Sequence, residues 1–210
     1  MLYPIMSTST LLSKESFIFE TGDVDLIIGD TNSKESFIGK ASSSALILAS
    51  PVWKKFLIPP WEVSPPPPRK QIDCTDNDPE ALLILLNIAH LKFDSVPKTE
   101  LTTRDLFSLA ILVDQYQCID LVRPWLGTWL PDKNELIRHS TEQWLFIAWV
   151  FGREKVLEKA SAGLVREAAL DCNCELVNRD TGMCFPEPMP PGIIGQFPFV
   201  LLSLQSVLHC

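Results

Sequence analysis

The sequence predicts an α+β domain, mostly helical with a small three-stranded sheet, followed by an α-helical extension. Three observations carry this. "DVDLIIG", Asp23 to Gly29, places Val24, Leu26 and Ile28 at the alternating positions of a half-buried strand. "TDNDPEALLILLNIAHLKF" opens with a helix start: Asp78 as N-cap, Pro79 at the first helical position and Glu80 in the first turn. Further along, apolar residues recur at helical spacing through Leu106, Leu109, Ala110 and Val113, and again through Val156, Leu157, Ala160 and Leu164.

In chain order, "SFIFE" reads as a short strand. After "DVDLIIG", Gly29-Asp30 opens a polar turn through Asn32 and Ser33, and "SFIG" is the returning strand of a hairpin. "KASSSALILASPVWKKFL" sets Ala41, Ala45, Leu48 and Ala49 at helical spacing until Ser50-Pro51, where the residue before proline is pushed out of the helical region. Two short helices are expected there, the second carrying Trp53 and Phe56. "IPPWEVSPPPPRK" is a loop held extended by its proline rings, and "QIDC" is a third short strand.

The helix begun at Asp78 is apolar nearly all round, with Glu80, Asn87, His90 and Lys92 the exceptions, which predicts burial. The next starts at Thr102 or Thr103, with Asp105 forming a short-armed capping box. "IDLVRPWLGTWL" is a shorter helical piece limited by Pro124 and Gly127. Two more helices follow, separated by Gly152. The expected division is an N-terminal arm (1–16), a domain (17–130), a helical extension (131–170) and an irregular C-terminal tail (171–210).

Composition excludes several function classes. Eighteen Lys and Arg against twenty-six Asp and Glu give a net charge of −8, and no basic cluster exceeds a pair, which argues against a nucleic-acid footprint. The longest apolar runs, "LLILLNIA" and "WLFIAWVF", are too short for a membrane span, which needs about 20 residues. "MLYPIMSTSTLLSK" lacks a basic region before its apolar residues, so the expectation is an intracellular protein whose six cysteines are reduced.

Candidate chemistry is sparse. Asp23 and Asp25, two residues apart in a strand, share a face and could be paired acids, but no partner pocket is legible, and a structural role is the stronger reading. "FIGKAS" fails as a phosphate loop, because Lys34 stands where the earlier glycine is required and Ala41 where Ser or Thr is required. Cys172, Cys174 and Cys184, with His209-Cys210, could supply soft metal ligands, yet the paired knuckles of zinc sites are missing. No metal or cofactor is therefore assigned.

His90 is expected at a helix end, hydrogen-bonded to backbone. "SPPPPRK" contains a P-x-x-P-x-K pattern and reads as a stiff spacer. Trp125 and Trp129, at i and i+4, and Trp144 and Trp149, at i and i+5, are packing residues first; the pair Trp125 and Trp129 is also a candidate partner surface.

The element order, with "GDVDLIIG…SFIGKASSSALILASPVWKKFL", resembles the BTB/POZ domain over Phe19 to Leu130. The shared features are Asp23-Val24 opening the first strand, Phe37 beginning the second, Lys40 after it, and the Ser50-Pro51-x-Trp53 step between helices. "IDCTDNDPEALLILLNIAHLKFDSVP" and "LFSLAILVDQYQCIDLVRPWLGTWL" look like the fungal group, and its helical continuation extends the likeness to about Ile194. Gly39-Lys40 departs from the His-Lys pair usual in that family.

The resemblance implies a non-enzymatic protein-interaction module. It would act by self-association as a homodimer through the first helices and strands, or by capturing a cullin scaffold as a ubiquitin ligase substrate adaptor. Asp23 and Lys40 would line a shallow groove and pair across it. The alternative from a different class is a small metal-dependent or hydrolytic enzyme using Asp23, Asp25, His90 or the C-terminal cysteines.

Overall fold

Strand β1 (Val24–Gly29) is the centre of a three-stranded sheet with order β2-β1-β3. It pairs antiparallel with β2 (Ser36–Ala41), Val24 opposite Ala41, and parallel with β3 (Lys70–Cys74), Leu26 opposite Ile72. The alternation in the sequence sets the faces: Val24, Leu26 and Ile28 are buried while Asp25 and Ile27 point the other way. The computed structural model describes residues 13–29, 35–59, 70–130, 141–170, 176–185 and 188–191. The proline-rich stretch 60–69, the turn 30–34 and Pro131-Asp132 lie outside the described residues.

Strand β3 lies on the far side of β1 from β2, so the chain has to cross the sheet between them, and α1 (Ser43–Ala49) and α2 (Pro51–Leu57) form part of that connection. Ser50 ends one and caps the other: its hydroxyl accepts the Val52 and Trp53 N–H groups at 3.1 and 3.0 Å. The same hydroxyl donates to the Tyr116 carbonyl at 2.6 Å, so the Ser50-Pro51 step is a tertiary joint as well as a helix break. Helix α3 (Pro79–Ala89) starts as expected, the Asp78 carboxylate accepting Ala81 N–H at 3.0 Å, and buries Ala81, Leu82, Leu85, Leu86 and Ile88.

The expected strand "SFIFE" is corrected. Lys14–Phe17 forms a 3-10 turn, taking in residues assigned to the arm, and Ile18 makes only an isolated bridge to Lys40. Its alternation still governs burial, with Phe17 and Phe19 inside and Ile18 exposed. The turn closes on Gly39, where a Cβ would stand 3.0 Å from Phe17 Cβ and 2.9 Å from Ile28 Cδ1. That close approach explains the glycine at this position.

Two units partition the chain, and they interleave: one comprises Met1–Pro97 with Gln115–Val122, the other Lys98–Asp114 with Arg123–Cys210. Helix α4 (Thr103–Tyr116) opens with the predicted capping box, Thr102 Oγ1 donating to Asp105 at 2.8 Å and accepting Asp105 N–H at 3.2 Å, and buries Leu106, Leu109, Ala110 and Val113. The short α5 (Ile119–Val122) belongs to the first unit.

In the second unit lie a 3-10 turn (Arg123–Trp125), α6 (Leu126–Trp129), α7 (Thr141–Val150) and α8 (Glu154–Glu167). Gly152 turns the chain between α7 and α8 at φ +66°, a conformation glycine adopts without steric penalty. Leu157, Ala160 and Leu164 of α8 pack in one cluster with Leu145, Ala168, Phe185 and Met189. Within the segment read as an irregular tail, β5 (Leu176–Asn178) pairs antiparallel with β4 (Ala168–Leu170), and Cys184 bridges back to Val177. The sequence concealed this hairpin because its strands are three residues long, too short to show a period. The chain is thus mixed α and β, mostly helical, with the small three-stranded sheet expected.

Candidate binding groove

A concavity of the first unit lies between α1 and the C-terminal end of α3, with a volume of about 650 Å³. Ala45, Leu48 and Ala49 of α1 face it, so the helical stripe seen in the sequence lines an open groove, while Leu46 fills the core. Phe19, Ile88, His90, Leu91, Lys92 and Leu121 supply the rest of the apolar lining and the cation.

The end of α3 shapes the groove through its cap. Leu91 N–H bonds to Ile88 O at 3.0 Å and Lys92 N–H to Asn87 O at 2.8 Å, the paired bonds of a Schellman motif. That motif needs a left-handed residue, normally glycine, and here Leu91 holds it at φ +60°. A left-handed leucine costs roughly 1–2 kcal/mol. Its side chain is 74% exposed, and that of Leu48, also on the groove, is 87% exposed.

His90 is held on both ring nitrogens. Nε2 accepts the Ser42 N–H at 2.9 Å, so Nδ1 carries the proton and donates to Leu86 O at 2.8 Å. The imidazole is neutral and stacks on Phe19 with ring centroids 4.0 Å apart, and the Lys92 ammonium lies 4.6 Å from the same Phe19 ring. Burial lowers the His90 pKa from its ordinary 6.5, the Leu86 bond works the other way, and the Lys92 charge lowers it further. The expected helix-end histidine bonded to backbone is found, with a second bond, to Ser42, that its own helix could not reveal.

Asp23 is engaged elsewhere than expected. Its two oxygens accept the Ser43 N–H and hydroxyl, which lowers its pKa below the ordinary value, with a smaller contribution from Lys70. Lys40 stands opposite Asp25 in the β1–β2 register, and its backbone carbonyl accepts Phe19 N–H at 2.9 Å. The Ser43 contacts give the carboxylate a structural task at the start of α1.

Trp125 and Trp129 stack with centroids 6.0 Å apart and planes 16° from parallel; Trp129 is completely buried and Trp125 half-buried. Of this pair, only Trp125 has surface to offer a partner. Trp144 is buried too, and its indole N–H meets no hydrogen-bond acceptor among the described residues.

Cys74, Cys118 and Cys184 are free thiols. Burial pushes Cys74 up to about 11 and Cys118 up to about 12, so both are poor nucleophiles at neutral pH. Among the described residues, no three His, Cys, Asp or Glu side chains gather as a metal site, and Cys172, Cys174, His209 and Cys210 lie outside those residues. No described helix is long and apolar enough to cross a membrane.

Sequence reasoning missed Leu91 and the exposure of Leu48. One signal was legible: the helix ending "NIAHLK" has no glycine where its cap would call for one. Comparison of the chain with known protein families and with curated proteins finds no match.

Proposed function

We propose that this chain is a protein-interaction module of BTB/POZ type, with the groove between α1 and the end of α3 as a docking surface for self-association or partner recruitment. The element order β–β–α–α–β–α–α and the Ser50-Pro51-x-Trp53 joint support the family reading. The observation that carries the docking reading is the pair Leu48 and Leu91, two exposed leucines on one groove, the second in a backbone conformation that glycine would adopt without strain. Covering a leucine side chain fully contributes about 1.5–3 kcal/mol, enough for two of them to anchor a small interface. Strain held at an exposed apolar residue points to a role beyond folding.

Sedimentation velocity on the full chain tests this. Wild type should self-associate, and Leu48→Ser with Leu91→Gly should shift the population to monomer. Leu91→Gly alone should raise folding stability by about 1 kcal/mol while weakening association. A monomeric wild type would remove self-association; a photo-crosslinking residue at position 48 that then captures no discrete protein partner would remove the docking reading altogether.

A further inference from the structure

We infer that His90 is a proton-operated latch of this groove: neutral, its imidazole ties the start of α1 to the end of α3, and protonated, it releases Ser42 and lets the groove wall move. The inference concerns the same groove and rests on the docking reading for its biological use.

The geometry leaves the ring no spare lone pair. Nδ1–H is committed to Leu86 O at 2.8 Å and Nε2 accepts Ser42 N–H at 2.9 Å. Adding a proton at Nε2 sets one N–H against another across that distance, turning an attraction into a repulsion. Ser42 is the N-cap of α1, and its backbone N–H is held by His90 while the Ser43 N–H is held by Asp23. The two elements it joins carry the groove's apolar walls, Leu48 on one and Leu91 on the other.

The charges around the ring set the direction. Lys92, just beyond α3, opposes protonation. Glu20, from the turn before β1, lines the same groove, and the Asp23 carboxylate is fixed on Ser43, next to Ser42; both carry the sign that favours protonation. Helix α1 has no titratable side chain, and α5 presents Leu121 to the groove. Burial and Lys92 prevail, so the latched form binds a proton less readily than a released, solvated imidazole. The latch is therefore closed at neutral pH, and protons favour the released form as pH falls below the ordinary histidine value.

Solution NMR on the full chain tests this, following the His90 ring resonances and hydrogen exchange at the Ser42 amide from neutral pH to about pH 5. Ser42 protection should fall about tenfold per pH unit below the His90 midpoint. The Leu48 and Leu91 methyl resonances should shift with that same midpoint. His90→Gln supplies an acceptor that does not titrate, and should keep Ser42 protected while abolishing the pH dependence. His90→Leu should leave Ser42 unprotected at every pH.

Protection that stays flat while the ring titrates, or wild-type pH dependence retained in His90→Gln, would overturn the latch. Should His90→Leu fail to fold, the wild-type titration decides alone. These readouts come from the isolated chain, so their failure is distinct from a failure of docking, which sedimentation reports.

Discussion

The carboxylate of Asp23, at the entrance to β1, caps the start of α1 from a distance of twenty residues in sequence: Oδ1 accepts the Ser43 N–H at 2.6 Å and Oδ2 the Ser43 hydroxyl at 2.7 Å. It performs the task that the Ser42 side chain leaves undone.

Removing that carboxylate should therefore act on folding. Asp23→Ala should lower stability by about 1 kcal/mol at neutral pH, measured by urea denaturation. The pKa of Asp23 is lowered in the folded state, so its contribution is present above the ordinary value of 3.8 and is lost as pH falls through the folded value. Wild type and variant should converge in acid; a gap that persists unchanged would contradict the assignment.

Tyr116 ties three parts of the first unit together. Its carbonyl accepts the Ser50 hydroxyl, its own hydroxyl accepts the Asn77 side-chain amide, and its ring packs on Trp53 with centroids 4.7 Å apart. Tyr116→Phe leaves the buried Asn77 amide without that acceptor and should cost roughly 1–3 kcal/mol. Thermal unfolding checks this. Tyr116→Phe combined with Asn77→Leu, which removes both polar partners, should recover part of the loss.

Gly39 gives the third test. Gly39→Ala puts a methyl group against Phe17 and Ile28 at about 3 Å, and should destabilise by about 1–3 kcal/mol. The 3-10 turn should loosen first, seen as faster tryptic cleavage at Lys14. Cleavage there at the wild-type rate would show that the turn does not depend on close approach to β2.

The thiols should divide by burial. Brief alkylation of the native chain should label Cys184, which is exposed, and spare Cys74 and Cys118, whose thiols are buried and held protonated. Peptide mass spectrometry reads the result, and rapid labelling of Cys74 in the folded state would place that residue outside the core.

Local chemistry determined much of this protein by sequence alone. The Val24, Leu26, Ile28 alternation, the Asp78-Pro79 start, the Thr102–Asp105 box and the Gly152 break each depend on residues within a few positions of one another, and each is found where its pattern placed it. What the tertiary structure alone decided are the pairings across long loops. Asp23 reaches Ser43 rather than Lys40, Ser42 finds His90 at a separation of 48 residues, and Ser50 finds Tyr116 at 66. The Ala45, Leu48, Ala49 stripe was legible as a helical face, but whether that face met core or solvent depended on Leu46 taking the inner position. Periodicity reports which residues share a face; only the packing of the other elements decides whether that face is covered, and around Leu48 and Leu91 this chain leaves it open.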